Sequence, residues 1–216
     1  MSVGHPLPAS APLDLNEWFG DIDIYLFDQL LKGNLVPPMR VLDAGCGHGR
    51  NLPYFLRAGF DVSAVDQSAD GIETVRAMAA KYAPHLPTDN FRVEPLDALT
   101  FASESFDAVV SSAVLHFARD EEHFRCMLAE LWRVLRRGGL FFARLASSIG
   151  IEDLVHQVDG RRYWLPDGTE RFLVDEDLIV RCTRELRGEF VEPIKTVNVQ
   201  HQRCMTTWVV SKGRVK

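Results

Sequence analysis

A chain of 216 residues, 46% hydrophobic and 25% charged, is long enough for one globular domain with a full core. Its formal charge of −6 offers no polycation to a phosphate backbone, so general nucleic-acid binding is disfavoured, and no apolar run approaches membrane-spanning length. Cys46, Cys126, Cys182 and Cys204 lie far apart with no C-x-x-C pair, which points to reduced thiols in a cytoplasm and away from a structural zinc site.

Met1–Asp14 is rich in Pro, Ala and Ser and reads as a loose arm, and Met1–Pro12 has no basic start followed by an apolar core, so a secretory leader is not expected. From Leu15 to Leu31, Leu15, Trp18, Phe19, Ile22, Leu26 and Leu30 recur at helical spacing, with Gly33-Asn34 as the stop. Residues 1–36 are therefore expected to form the arm and a helix, and 37–216 the main domain. Arg40, Val41 and Leu42 begin a short strand ending at Asp43, after which Gly45, Gly47 and Gly49 alternate. An amphipathic segment with Leu52, Phe55 and Leu56 follows. Strand, glycine turn and helix make the nucleotide-cradling start of a doubly wound domain, although such a turn can also be purely structural. A dinucleotide fingerprint would need its third glycine at position 50, where Arg50 stands, and the Gly-Lys-Ser/Thr ending of a phosphate-wrapping loop is missing too.

Phe60–Val65 is a second strand ending at Asp66, a carboxylate able to accept both hydroxyls of a ribose or simply to close a turn. Ser68 caps a helix bearing Ile72, Val75, Ala79 and Tyr82. Phe91–Pro95 is a third strand, followed by Leu96-Asp97-Ala98, and Phe106–Ser112 is a fourth with the continuous apolar run of a central parallel strand. Asp120 opens a helix with Phe124, Leu128, Leu131 and Leu135 at core spacing, closed by Arg136-Arg137 and Gly138-Gly139. Leu140–Leu145 is the fifth strand, and Asp175 caps a further helix through Leu186. Glu189–Val199 and Arg203–Val210 alternate and pair as an antiparallel edge. Residues 146–174 are too long for a simple connection and start at the carboxyl end of a strand, where open α/β sheets bind ligands.

The D-x-G-x-G-x-G turn, the acids after the second and third strands, and the L-x-x-V-L-x-x-G-G-L run before the fifth resemble the class I S-adenosylmethionine-dependent methyltransferases. The resemblance spans roughly residues 40–210. It implies an α/β, doubly wound, Rossmann-like seven-stranded sheet, mostly parallel, with a C-terminal antiparallel edge pair. It implies S-adenosylmethionine as cofactor, held by Asp43, Gly45, Cys46, Gly47, Arg50, Asp66, Gln67, Asp97, Ala98, Ser111 and His116. Within that set Asp66 meets the ribose, and Asp97 and the backbone of Ala98 meet the adenine. Asp43 meets the ammonium, and Arg50 meets the carboxylate or only solvent. Trp18, Tyr25, Arg144 and Trp164 are expected near the acceptor, with the N-terminal helix as a lid. His116 is a candidate general base or a packing residue beside the cofactor. Ser111–Phe117 replaces the Asn/Asp-Pro-Pro-Tyr/Phe and Pro-Cys sequences of amine and cytosine-C5 methylators, so a small-molecule acceptor is expected, and no metal is demanded. The alternatives are a non-catalytic module that only binds the cofactor, or a methylator of protein or RNA.

Overall fold

A computed structural model describes residues 14–213; the expected N-terminal arm otherwise lies outside them. Helix α1 (Leu15–Phe19) and helix α2 (Ile24–Leu31) replace the single helix expected over 15–31. Gly20 breaks it, with φ +56°, and Asp23 starts a new helix by accepting the Tyr25 amide. Strand β1 (Arg40–Ala44), α3 (Leu52–Arg57), β2 (Asp61–Asp66), α4 (Ala69–Tyr82), β3 (Phe91–Val93) and β4 (Phe106–Ser112) follow in the expected order. Then come α5 (Glu121–Val134), β5 (Leu135–Ser147), β6 (His156–Asp159), β7 (Arg162–Trp164), β8 (Glu170–Phe172), α6 (Glu176–Glu185), β9 (Gly188–Phe190), β10 (Lys195–Val199) and β11 (Arg203–Lys212).

The main sheet runs β10-β11-β5-β4-β1-β2-β3, with β9 added beside β11. Pairing is parallel from β3 to β5 and antiparallel where β11 meets β5, β10 and β9. The strand expected over 189–199, first of the edge pair, is split into β9 and β10, which pair with opposite ends of β11. Pro193 stands in the gap, where a residue without an N–H cannot continue a ladder. The basic pair after α5 does not cap it. Helix α5 ends at Val134 and the chain turns directly into β5, while Arg136 pairs with Asp107 of β4.

Both faces of the sheet are covered. Leu42, Val109, Phe141 and Trp208 pack toward Phe124, Leu131 and Ile179 on one side. Their strand neighbours Val41, Ala108, Phe142 and Val209 pack toward Leu26, Phe55 and Val75 on the other. Strands buried on both faces need apolar residues in unbroken runs, as β4 has. Leu26 is fully buried in this second core, so α2 belongs to the domain rather than to a detached lid. Residues 146–174 hold a separate three-stranded sheet, β6-β7-β8. It joins the main body through a parallel bridge between Ser147 and Val174. No helix among the described residues is long and apolar enough to cross a membrane.

Candidate active site

Strand β1 pairs with β2 on one side and β4 on the other, so the chain's winding reverses between β1 and β4. A crevice opens at the carboxyl ends of strands at such a point. The loops after β1 and β4 meet there, and two cavities occupy it.

The first cavity, about 330 Å³, is walled by the glycine turn with Asp66, Gln67, Glu94 and Leu96, and closed by Val114, His123 and Met127. The turn is tied to β2. The Gly45 and Cys46 amides both donate to the Val65 carbonyl, at 2.8 and 3.0 Å, and Gly49 donates to Cys46. Asp66 fixes the rest, accepting from the Gly47 amide at 2.7 Å and the Ser68 amide at 2.8 Å. A phosphate cradle keeps such amides free for its ligand, so this turn is built for close approach by a neutral or cationic group. Glycine is required twice over at Gly45: φ is +80°, and a Cβ would fall 2.4 Å from Val114 Cγ2. At Gly47, φ +54°, a Cβ would meet nothing within 4 Å, because that side faces the cavity.

Beneath the turn lies Asp43, fully buried, with Oδ2 lacking a hydrogen-bond partner among the described residues. Burial pushes its carboxyl up to about 7, Arg50 opposes this and Asp66 adds to it. Burial likewise drives the Cys46 thiol far up, so Cys46 contributes through its backbone and not as a nucleophile.

The second cavity, about 280 Å³, shares only Ala113 with the first. Ala113 follows β4 with φ +66°, an uncommon conformation for a residue with a Cβ, and its amide donates to the Arg144 carbonyl at 2.7 Å. Arg50, His116 and Arg144 wall this cavity from the main sheet. Leu165, Asp167, Thr169 and Arg171 reach it from the small sheet, and Arg203 and Met205 from β11. His116 is buried, and its Nδ1 accepts the Ala146 amide at 3.2 Å. The other ring nitrogen therefore carries the proton. Burial, with Arg171 and Arg203 nearby, lowers the ring's pKa to about 4. At neutral pH the ring is uncharged and offers a donor at Nε2, not a basic lone pair.

Several expected site residues stand elsewhere. Asp97 and Ala98 are off the first cavity's wall: Asp97 lies 3.5 Å from His123 Nε2, and the Ala98 amide donates to Pro95. Glu94, Leu96 and His123 occupy the wall instead. Ser111 is buried inside β4, with Oγ unpartnered among the described residues. Trp18 is off both walls, 5.8 Å from the Arg57 guanidinium, and no α1 or α2 residue lines either cavity, so the helix does not lid them. Tyr25 acts at one remove, its ring 5.1 Å from the Arg144 guanidinium. Trp164 is half exposed on β7 while its neighbour Leu165 lines the cavity. Alternation along the strand decides which of the two points inward.

Besides the wall residues Glu94, Leu96, His123, Arg171 and Arg203, sequence reasoning missed Asp23. It is buried, and one oxygen collects Arg144 Nη1 at 2.8 Å, Ser112 Oγ at 3.2 Å and Arg50 Nη2 at 3.4 Å. Arg50 also donates to Ser112 at 2.8 Å. An acid just before the apolar run of α2 carries an N-cap signature, hidden when 15–31 is read as one helix.

A family model described as a methyltransferase domain matches residues 42–143. The ubiquinone biosynthesis O-methyltransferase of Methylocella silvestris is 32% identical over 147 residues, which are 65% of this chain and 54% of that protein. EEF1A lysine methyltransferase 4 of Bos taurus is 40% identical over 100 residues, 46% of this chain and 37% of that one. The chain thus spans about half, or less, of the length of these curated relatives. Among solved structures, 1,6-didemethyltoxoflavin-N1-methyltransferase of Burkholderia thailandensis superposes with TM-score 0.66 at 22% identity, covering 88% of this chain and 76% of the other. That crystal contains 1,6-didemethyltoxoflavin and S-adenosylhomocysteine; at this identity the likeness is one of fold. The matched stretch runs from the strand before the glycine turn into the fifth strand, and it includes the first cavity's principal walls. Residues 42–143 of this chain are thus a methyltransferase domain, similar in sequence to the relatives above and in fold to the solved structure.

Proposed function

We propose that this protein methylates a small-molecule acceptor, with S-adenosylmethionine in the first cavity and the acceptor in the second. The observation that carries this is the meeting of the two cavities at Ala113, one walled by the glycine turn and the other by the insertion. The residues fit the cofactor. Gly47 leaves bare backbone on the cavity side, Asp66 stands at the tip of β2 with lone pairs to spare for ribose hydroxyls, and Asp43 holds an unpartnered oxygen behind the turn. Gln67 extends the ribose side of the same wall. When bound, the cofactor supplies an electrophilic methyl group on a cationic sulfur.

What the chain must add is position and dryness. Ala113, locked by its bond to Arg144, fixes the boundary between the cavities and so the line along which the acceptor approaches. Asp23 holds Arg50 and Arg144 in place on the acceptor side. His116 presents Nε2–H, which orients an acceptor oxygen or sulfur without removing its proton. Leu165 and Met205 exclude water from the acceptor's flank. Titration with S-adenosylhomocysteine, then incubation of the full chain with methyl-labelled S-adenosylmethionine and a metabolite extract, tests the assignment. Binding with label recovered in a small molecule is expected. Absence of binding, or label only in macromolecules, overturns it.

A further inference from the structure

The second cavity carries more positive charge than methyl transfer calls for. Four guanidiniums, those of Arg50, Arg144, Arg171 and Arg203, reach its wall. Two carboxylates answer them: Asp23, shared by Arg50 and Arg144, and Asp167, whose Oδ2 lies 3.8 Å from Arg203. An excess of two positive charges remains, in a chain whose formal charge is −6. Arg171 and Arg203 are the most weakly paired, Arg203 having only its 3.8 Å contact with Asp167. Arg171 donates to the Glu170 carbonyl at 2.7 Å and lies 4.9 Å from the Phe117 ring, with no ion-pair partner among the described residues. Arg171 and Arg203 come from different sheets, β8 and β11, and both depress the pKa of His116, so their fields converge on one spot. Beside His116 and Thr169, the rest of the wall is apolar: Ala113, Ala146, Leu165, Val199 and Met205.

We propose that the acceptor is a small organic acid, its carboxylate held by Arg171 and Arg203 and its apolar body laid against Leu165, Val199 and Met205. This rests on the methyltransferase assignment above. A guanidinium matches a carboxylate in shape and charge, two N–H groups to two oxygens. A cationic cofactor in the adjoining cavity adds further positive charge, which an anionic acceptor balances. A protonated amine would face the two unbalanced guanidiniums and is disfavoured. The net negative surface does not oppose this, because the four arginines gather at one cavity, where their local field outweighs charge spread over the rest of the surface.

Calorimetric titration of the S-adenosylhomocysteine-loaded chain with benzoate, benzamide and inorganic phosphate tests the proposal. Benzoate is expected to bind at least about tenfold more tightly than benzamide, the neutral isostere, and Arg171→Gln and Arg203→Gln are each expected to weaken benzoate by at least about tenfold. Affinity for S-adenosylhomocysteine should not change in either variant. Equal binding of benzoate and benzamide, or variants that bind benzoate as the parent does, overturns the proposal. Phosphate binding more tightly than benzoate overturns the carboxylate assignment. If Arg171→Gln does not fold, Arg203→Gln decides, since that side chain is 55% exposed and tolerates replacement. Failure to bind S-adenosylhomocysteine refutes the methyltransferase assignment, and the acceptor role with it. Benzoate against benzamide on the unloaded chain then reports the anion site separately.

Discussion

Replacing Gly45 and Gly47 by alanine, one at a time, is expected to separate stability from binding. Both have positive φ, +80° and +54°, so alanine at either carries a conformational penalty of about 1–2 kcal/mol. Only at Gly45 does the new methyl collide, 2.4 and 2.6 Å from the two Cγ atoms of Val114. Overpacking of that kind adds about 1–3 kcal/mol. Gly45→Ala should therefore lose about 2–5 kcal/mol in urea denaturation, against about 1–2 kcal/mol for Gly47→Ala. Adding Val114→Ala to Gly45→Ala removes both colliding carbons and should restore most of the difference. Binding should follow the opposite order of cause. The Gly47→Ala methyl stands in the first cavity itself, so S-adenosylhomocysteine affinity should fall by about tenfold or more in a folded protein. Equal denaturation midpoints for the two single variants, or unchanged affinity in Gly47→Ala, would refute the reasoning.

Asp43 provides a pH test. Its carboxyl is raised from an ordinary 3.8 to about 7, so the folded chain holds a proton there that the unfolded chain has released. Stability from this group falls as pH rises from about 4 to about 7, and Asp43→Asn should flatten that slope. The cofactor's ammonium favours the charged form, so affinity should rise with pH up to about 7 with proton release in calorimetry, and a flat affinity from pH 5.5 to 8 in the parent rules this out. Asp23→Ala leaves Arg144 without its buried counter-charge; a loss of about 3–5 kcal/mol, or about 6–20 °C in Tm, is expected, and a drop below about 2 °C contradicts the anchoring role. For His116→Ala, the pH profile of kcat/KM should keep its shape, since the neutral ring has no base to lose near pH 6–7. An inflection abolished by His116→Ala, yet retained in Asp43→Asn, would restore the ring as a general base.

The parts of the fold written in local chemistry were legible in the sequence. Ser68, Asp120 and Asp175 cap their helices as their positions before apolar runs require, accepting from Gly71, His123 and Leu178. The glycine turn and β4 stand where spacing and the apolar run put them. What depends on contacts across the chain was not legible. The break at Gly20 is set against Pro53, whose Cγ lies 3.0 Å from where a Cβ would be. Strands β7 and β8 span three residues each, too short for alternation to register. Their small sheet brings Arg171 toward Arg203, 32 positions away, and no local pattern encodes that approach. Asp97 and His123 pair across the loop after β3 and the first turn of α5, so an acid read from its place after a strand turns out to face a partner instead of the cavity.

The wall around the glycine turn draws on nothing beyond Met127, whereas most of the wall around Arg171 comes from residues 144–205, with Ala113 alone in common. The small sheet is seated on the main body by side chains as well as by the Ser147–Val174 bridge: Phe172 stacks on Phe124 of α5 with ring centroids 4.9 Å apart, and Arg161 pairs with Glu121. Its cavity-facing residues can be exchanged while the turn, its tether to Val65 and the buried acid below stay as they are, provided that Phe172 and Arg161 keep the segment seated. A transplanted 146–174 segment would carry its own preference for what is modified into a host that keeps its reagent, much as a socket accepts different bits on one handle.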